Sequence, residues 1–396
     1  MTRWAVTGAG LVAAAGSAPE AIFDAVAGGS SRAALRDGTN VACLPIEGFD
    51  PKAHLDRKGL GDLSRTSQLA CAAAARLAPA LAGIPPADVG VVLGTAWGSL
   101  RTVVAFERAA QVDGPRFVDP FLFAETVANV PAGQVAIVFG WSACNATVSS
   151  GRASGLAAIC AAVDLLIEDR AKVVAAGGAD ELNPPLLLAW ENEGRLARDP
   201  ASLPLARGRS GPIAGEGACL LAIEADDHAA ARGATPLAHV AAAARVSAIG
   251  GGGGPRRVVA ELVRRLLRAA DLPPDGIDLV VLSADGGRES DAEEALGVME
   301  VFGKGDAAPP VVAPKGSIGE TWGAAGSLAA VFAIEAMRRR TIPAPARETD
   351  LDPALEGLRI PRAAIRGAVR HALILDGAAG ELIAGIILEQ GGSDAA

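Results

Sequence analysis

The sequence predicts an α/β fold built from two similar halves. Three observations carry this. Short apolar runs that end in glycine or an acid read as buried strands. Ala/Leu-rich stretches with helical spacing lie between them. The segment from Ala171 to Asp180 also has an echo from Ile277 to Asp285, each following a long helix and ending in a turn. Strands that alternate with helices build a layered α/β domain.

In chain order, strands are expected at Trp4–Gly8, Val89–Gly94, Val135–Gly140, Lys172–Gly178, Ala218–Glu224, Ile277–Ser283, His371–Asp376 and Leu382–Glu389. Helices are expected at Ser64–Leu81, Arg152–Glu168, Arg256–Ala270, Ser290–Phe302 and Gly323–Arg340. Within Arg256–Arg268, Val258, Leu262 and Leu266 form the expected buried stripe, and five arginines form the solvated face. The glycine run Gly250–Gly254 reads as the connection between halves, giving residues 1–249 and 250–396.

Composition excludes several classes. Half of the 396 residues are hydrophobic and 20% are charged, which means a large buried core. The net charge of −9 argues against a nucleic-acid binder. The long uncharged run 126–151 is broken by Asn129, Pro131, Gly133, Gln134, Gly140 and Asn145, so membrane insertion is not expected. The N-terminus lacks the layout of a signal peptide. The five cysteines are odd in number and lack a C-x-x-C pair, as in a reduced, cytoplasmic protein. The four histidines have no metal-ligand spacing, and neither metal nor cofactor is expected.

Four glycine-rich segments stand out. Ser149-Ser-Gly-Arg-Ala-Ser-Gly155 is a tight turn opening a helix, with Arg152 at the helix start. Arg207–Gly217 holds Glu216 between two glycines, more often a structural acceptor than a reacting acid. Pro314–Gly326 lacks the residue order of a phosphate-binding loop. Asp376–Glu381 is a turn between two late strands.

Together, in this order, these segments resemble the β-ketoacyl synthases of type II fatty acid and polyketide assembly. The opening Ala5-Val-Thr-Gly-Ala-Gly-Leu-Val is similar to that family's first strand. Leu93-Gly-Thr-Ala-Trp-Gly-Ser resembles its Gly-Thr-x-x-Gly-Gly strand end, and Val127-Ala-Asn-Val-Pro-Ala-Gly-Gln its Pro-Asn-x-x-Ala-Gly segment. Val174–Glu181, Arg209–Ala218, Pro314–Gly319 and Gly323-Ala-Ala-Gly-Ser extend the resemblance over nearly the whole chain. It implies the thiolase fold: two βαβαβαββ halves in a five-layered αβαβα core, normally dimeric.

The departures fall on the reacting positions. Ser150-Gly-Arg-Ala-Ser-Gly155 puts Arg152 where the family's nucleophilic cysteine belongs. Ala284-Asp-Gly-Gly puts Asp285 at its first histidine, and Lys315-Gly-Ser-Ile-Gly-Glu320 puts Glu320 at its second. Lys315 is retained, and the gating Gly-Phe-Gly-Gly loop becomes Gly377-Ala-Ala-Gly380, with Ala378 in the place of the phenylalanine. Decarboxylative condensation needs a thiolate, and an arginine cannot deprotonate to supply a nucleophile.

The resemblance therefore implies a subunit without condensing activity of its own, like the chain-length factors of type II polyketide (including polyene) or fatty acid systems. Its partner would be an active β-ketoacyl synthase in a heterodimer, with acyl carrier protein engaged mainly through that partner. Arg152, Asp285, Glu320 and Lys315 would form a compact cluster of two cations and two anions. The interface would run through a strand at Val135–Phe139. Trp97, Phe117, Phe121, Phe123 and Trp141 would sit at the tunnel or interface, where ordinary core packing is the competing reading. Two alternatives stay open: an enzyme with a displaced nucleophile among Ser149, Ser150, Ser154 and Cys144, acting on acyl- or malonyl-carrier protein, or a homodimeric acyl-binding protein.

Overall fold

The computed structural model describes residues 3–28, 33–36, 39–55, 57–247, 254–345, 350–377 and 381–392. Ten strands form one mixed sheet: β1 (Trp4–Ala13), β2 (Val89–Gly94), β3 (Asn145–Val148), β4 (Val173–Asp180), β5 (Gly217–Ala225), β6 (Ala238–Ser247), β7 (Leu279–Val281), β8 (Val311–Val312), β9 (His371–Gly377) and β10 (Leu382–Gln390). The helices that position the site are α1 (Arg65–Leu77), α2 (Leu100–Val112), α3 (Pro120–Ala124), α4 (Val130–Phe139), α5 (Ser154–Ile167), α6 (Pro184–Asn192), α7 (Gly254–Ala270), α8 (Arg288–Phe302) and α9 (Ala325–Arg339).

The sheet is one pattern used twice. In the first half the order is β1-β5-β4-β2-β3, paired antiparallel, antiparallel, parallel, parallel. In the second it is β6-β10-β9-β7-β8 with the same sequence of pairings. The halves join where Trp4–Val6 pairs antiparallel with Ala238–Val240. Beyond those three pairs β1 and β6 diverge. The 249/250 division thus falls after β6, one strand inside the second pattern.

Side-chain alternation builds five layers. Val174 and Ala176 of β4 and Ala372 and Ile374 of β9 face a central core shared with α5 and α9. Val173 and Ala175 face the opposite way, onto α1. Leu373 and Leu375 face α7 and α8. The order is helices, sheet, α5/α9, sheet, helices, which is the thiolase-type αβαβα arrangement.

Several expectations need correcting. Residues 135–139 are helix, not strand: α4 carries Pro131 in its first turn and ends at Gly140, whose φ is +71°. The strand before the Arg152 turn is β3, at the outer edge of the sheet. Alanine-rich β6 gave no strand signal, because alanine favours strands poorly and long pairing with β10 overrides that preference. The partner of β4 in the repeat is β9, so the echo of Asp180 is Asp376 and not Asp285. In α7 the buried residues are Val259, Ala260, Leu262, Val263, Leu266 and Leu267, with Val258 only half-buried. Its Arg256 and Arg264 pair with Glu300, and Arg268 pairs with Glu261.

Candidate functional site

β7, β8 and β9 run parallel, so their carboxyl ends open on one edge of the sheet. Ser283 and Asp285 follow β7, Lys315 follows β8, and Asp376 closes β9. From the other side, the turn after β3 delivers Arg152 just ahead of α5. Gly151 makes that turn with φ +61°.

Arg152 makes an ion pair with Asp285 through Nη1 and Oδ2. Lys315 Nζ donates to Glu320 Oε2 at 2.9 Å, Asp376 Oδ1 at 3.2 Å and Ser283 Oγ at 2.9 Å. Those three bonds saturate the ammonium. Glu320 Oε1 accepts from the Trp322 amide at 2.6 Å, and Asp285 Oδ1 from the Gly287 amide at 2.9 Å. The Arg152 side chain is 12% exposed, and those of Lys315, Asp285 and Glu320 are 3% or less.

The sequence singled out four of these residues, and all four lie in one connected cluster. It missed Asp376 and Ser283, so the expected balance of two against two becomes two cations against three carboxylates. Burial raises the pKa of Asp285, but the Arg152 and Lys315 charges and the Gly287 amide more than reverse this, and it titrates below the usual range. Burial raises Glu320 and Asp376 despite Lys315. As pH falls, Glu320 therefore takes up a proton before Asp285. Burial disfavours the Lys315 cation, yet Glu320, Asp376 and Asp285 hold it charged.

A second ring steadies the first. Asp291 accepts from the amides of Asp285 and Leu205 at 2.9 and 2.8 Å. Buried Arg209 donates to Asp352 at 2.7 Å and to the Arg288 carbonyl at 2.7 Å. Glu216 is a structural acceptor: Arg65 clamps it with two bonds of 2.7 Å, and the amides of Ile46 and Leu182 add two more.

Aromatic rings close the inner side. Trp190 of α6 lies 5.9 Å from the Arg152 guanidinium and 4.6 Å from that of Arg195. Trp97 and Trp322 meet Trp190 edge-on at 5.8 and 6.0 Å. Trp97 therefore belongs to the site's wall. Trp322 holds φ +45°, an uncommon conformation for a bulky residue, and its amide is tied to Glu320. Outside Arg152 opens a pocket of about 660 Å³, lined among others by Arg195, Arg288, Glu289 and Glu381.

The remaining aromatic candidates lie elsewhere. Trp141 stacks on Phe139 at 4.8 Å in the outer core with α1, in keeping with the competing reading of ordinary core packing. Phe117, Phe121 and Phe123 are 78%, 85% and 60% exposed around α3. Val112 and Ile137 extend the same apolar exposure along α2 and α4. Ala378 lies outside the described residues.

The displaced-nucleophile candidates have no histidine partner among the described residues. Ser154 Oγ is buried, accepts from the Ser150 amide at 2.9 Å and donates to the Gly151 carbonyl at 2.6 Å. Burial pushes the Cys144 thiol up. Among the described residues no histidine hydrogen-bonds to Ser149, Ser150, Ser154 or Cys144. His228 pairs with Glu224, His239 with Asp226, and His371 with a carbonyl. No cluster among the described residues has the makings of a metal site.

Glu181 neighbours the tryptophan wall, accepts from the Arg101 amide at 3.1 Å, and is pushed up to about 7 by burial. Its folded pKa exceeds the ordinary value of 4.5. The stability it contributes is complete below that value and is lost as pH rises through about 7. Glu181→Gln removes this dependence. Denaturation curves should show the variant gaining on the wild type by about 1–3 kcal/mol between about pH 5 and about pH 8.5.

The layered, duplicated fold and the cluster at its strand ends define a thiolase-fold protein of the ketosynthase type. The comparisons say which family. Residues 3–229 match the β-ketoacyl synthase N-terminal domain and residues 253–347 the β-ketoacyl synthase C-terminal domain. The chain belongs to the β-ketoacyl synthase family. A Streptomyces halstedii protein named polyketide beta-ketoacyl synthase 1 is 30% identical over 98% of this chain and 97% of its own length. Nodulation protein E of Rhizobium leguminosarum bv. trifolii is 30% identical over 83% of this chain and 84% of its own. Among solved structures, the ishigamide ketosynthase/chain length factor superposes with a TM-score of 0.90 at 24% identity, covering 99% of this chain and 100% of that one. A β-ketoacyl synthase from Burkholderia phymatum STM815 gives 0.88 at 25% identity, covering 98% and 100%. Among the described residues no helix is long and apolar enough to cross a membrane.

Proposed function

We propose that this chain is a ketosynthase-like subunit without condensing activity. It pairs with an active β-ketoacyl synthase as a chain-length factor in type II polyketide, including polyene, or fatty acid biosynthesis. The observation that carries this reading is the Arg152–Asp285 ion pair. The family resemblance puts a cysteine and a histidine at those two positions, and here they hold a guanidinium and a carboxylate that satisfy each other. A third reacting position, Glu320, is spent on Lys315 and the Trp322 amide. Such a site offers no thiolate to carry an acyl chain and no imidazole to stabilise an enolate.

The apolar face around α2, α3 and α4 supports a partner. Phe117, Phe121 and Phe123 are too exposed for a free surface, and contiguous apolar exposure marks association sites. Edge strand β3 lies on the same part of the sheet, next to α4. Phe121→Asp should weaken assembly with the partner synthase by about 30-fold or more, the scale of a central aromatic contact. The isolated chain should melt unchanged, because the ring contributes little to its own core. Light scattering of the mixed subunits measures the first and calorimetry the second. An assembly that tolerates this variant places the partner elsewhere.

A further inference from the structure

The point where the two half-sheets part creates a second feature, far in the topology from the charge cluster. After Val240, β6 loses β1 as a neighbour and keeps only β10. The cavity of about 400 Å³ there is lined by six consecutive residues of β6, from Val240 to Arg245. Side chains of a strand alternate between faces, so an unbroken run of lining residues means that the cavity follows the strand's edge. The opposite wall is Cys160, Val163, Asp164 and Ile167 of α5. Their spacing places them on one helical face. Trp4 closes the end, and Arg265 of α7 stands on the rim.

The chemistry of this slot is specific. Its long wall is an edge of backbone amides and carbonyls with no strand neighbour from Ala241 onward among the described residues. Its helical wall is mostly apolar, and Ile167 is 65% exposed. Its charged residues are Asp164, Arg245 and Arg265. Arg245 reaches Asp164 at 3.4 Å, while Arg265 makes no ion pair among the described residues. The rim therefore has one cation to spare. Five steps of β6 span about 17 Å, room for a short extended segment.

We propose that the open edge of β6 is a strand-addition site for an extended peptide carrying an acidic residue. The peptide's main chain pairs with β6 between Ala241 and Arg245, an apolar side chain rests on Val163 and Ile167, and its carboxylate meets Arg265. This mode draws affinity from main-chain hydrogen bonds and specificity from alternate side chains. The site is independent of the proposed partner face, so either reading can fail alone.

The test uses the full chain and a fluorescein-labelled hexapeptide alternating glutamate and valine. Anisotropy should show binding tighter than about 1 mM, and amide exchange should slow at residues 241–245. Arg265→Glu should weaken binding by about tenfold or more, with an unchanged melting temperature. A peptide alternating lysine and valine should bind the wild type more weakly. Absence of binding, slowed exchange confined to other segments, or equal binding to Arg265→Glu overturns the proposal. So does octanoate displacing the peptide without protecting those amides, which would make the slot a site for small amphiphiles.

Discussion

Arg152→Ala should cost the chain about 3–5 kcal/mol of stability, because it leaves Asp285 buried without its cation. The Asp285 side chain is 2% exposed, and Arg152 is its ion-pair partner. The loss is a penalty for an orphaned charge and not the worth of the pair. Replacing both partners with apolar groups of similar size is often near neutral. Arg152→Met combined with Asp285→Leu should therefore recover most of what Arg152→Ala loses. Urea denaturation of wild type, single and double variants measures both. Equal losses in the single and double variants would mean that Arg152 acts through its packing on Trp190 and not through its charge.

Lys315→Met should be comparably damaging near neutral pH, by about 3–5 kcal/mol, since one ammonium serves two buried carboxylates. Glu320 and Asp376 already titrate above their ordinary range through burial, even with Lys315 present. Without the cation their folded pKa values rise further. A carboxyl whose folded pKa is raised stabilises the fold below its unfolded pKa and loses that stability as pH rises through the folded value. The variant should thus be least affected in acid and worst affected at alkaline pH. Denaturation curves across that range check it, and a deficit that does not change with pH would show that the two carboxyls do not titrate as a buried pair.

The contrast between these residues and Asp376 shows what the sequence makes legible. Arg152, Asp285, Glu320 and Lys315 were readable because they interrupt otherwise intact motifs at the reacting positions. Nothing local marks Asp376 as a partner of Lys315. The two meet only because β9 lies beside β7, and β7 beside β8, pairings between segments far apart in the chain. The repeat offered a clue, since Asp376 closes β9 as Asp180 closes β4. Asp180 also binds at a junction, taking the Thr95 hydroxyl and the amides of Ala96, Trp97 and Gly323.

Elements followed the same logic. Valine- and leucine-rich strands ending in glycine were readable, because burial on both faces leaves an unbroken apolar run. α4 was misread as a strand for the same reason: it is apolar all round, and only Pro131 and Gly140 mark it as a helix. β6 was missed because its alanines suit a helix, and only its pairing with β10 makes it a strand. The close stacking of layers left one local trace. A side chain at Gly178 would fall 1.8 Å from the Gly323 carbonyl, so glycine is required where the site's loop crosses β4.

The intact mass of this chain after incubation with acyl- and malonyl-loaded carrier protein tests the absence of condensing activity most directly. The incubation should be done alone and with an active β-ketoacyl synthase as the partner subunit. This chain should stay unmodified in both cases, and the partner should be acylated only within the complex. An acyl adduct on this chain alone would contradict that absence, and peptide mapping would then look first at Ser149, Ser150, Ser154 and Cys144.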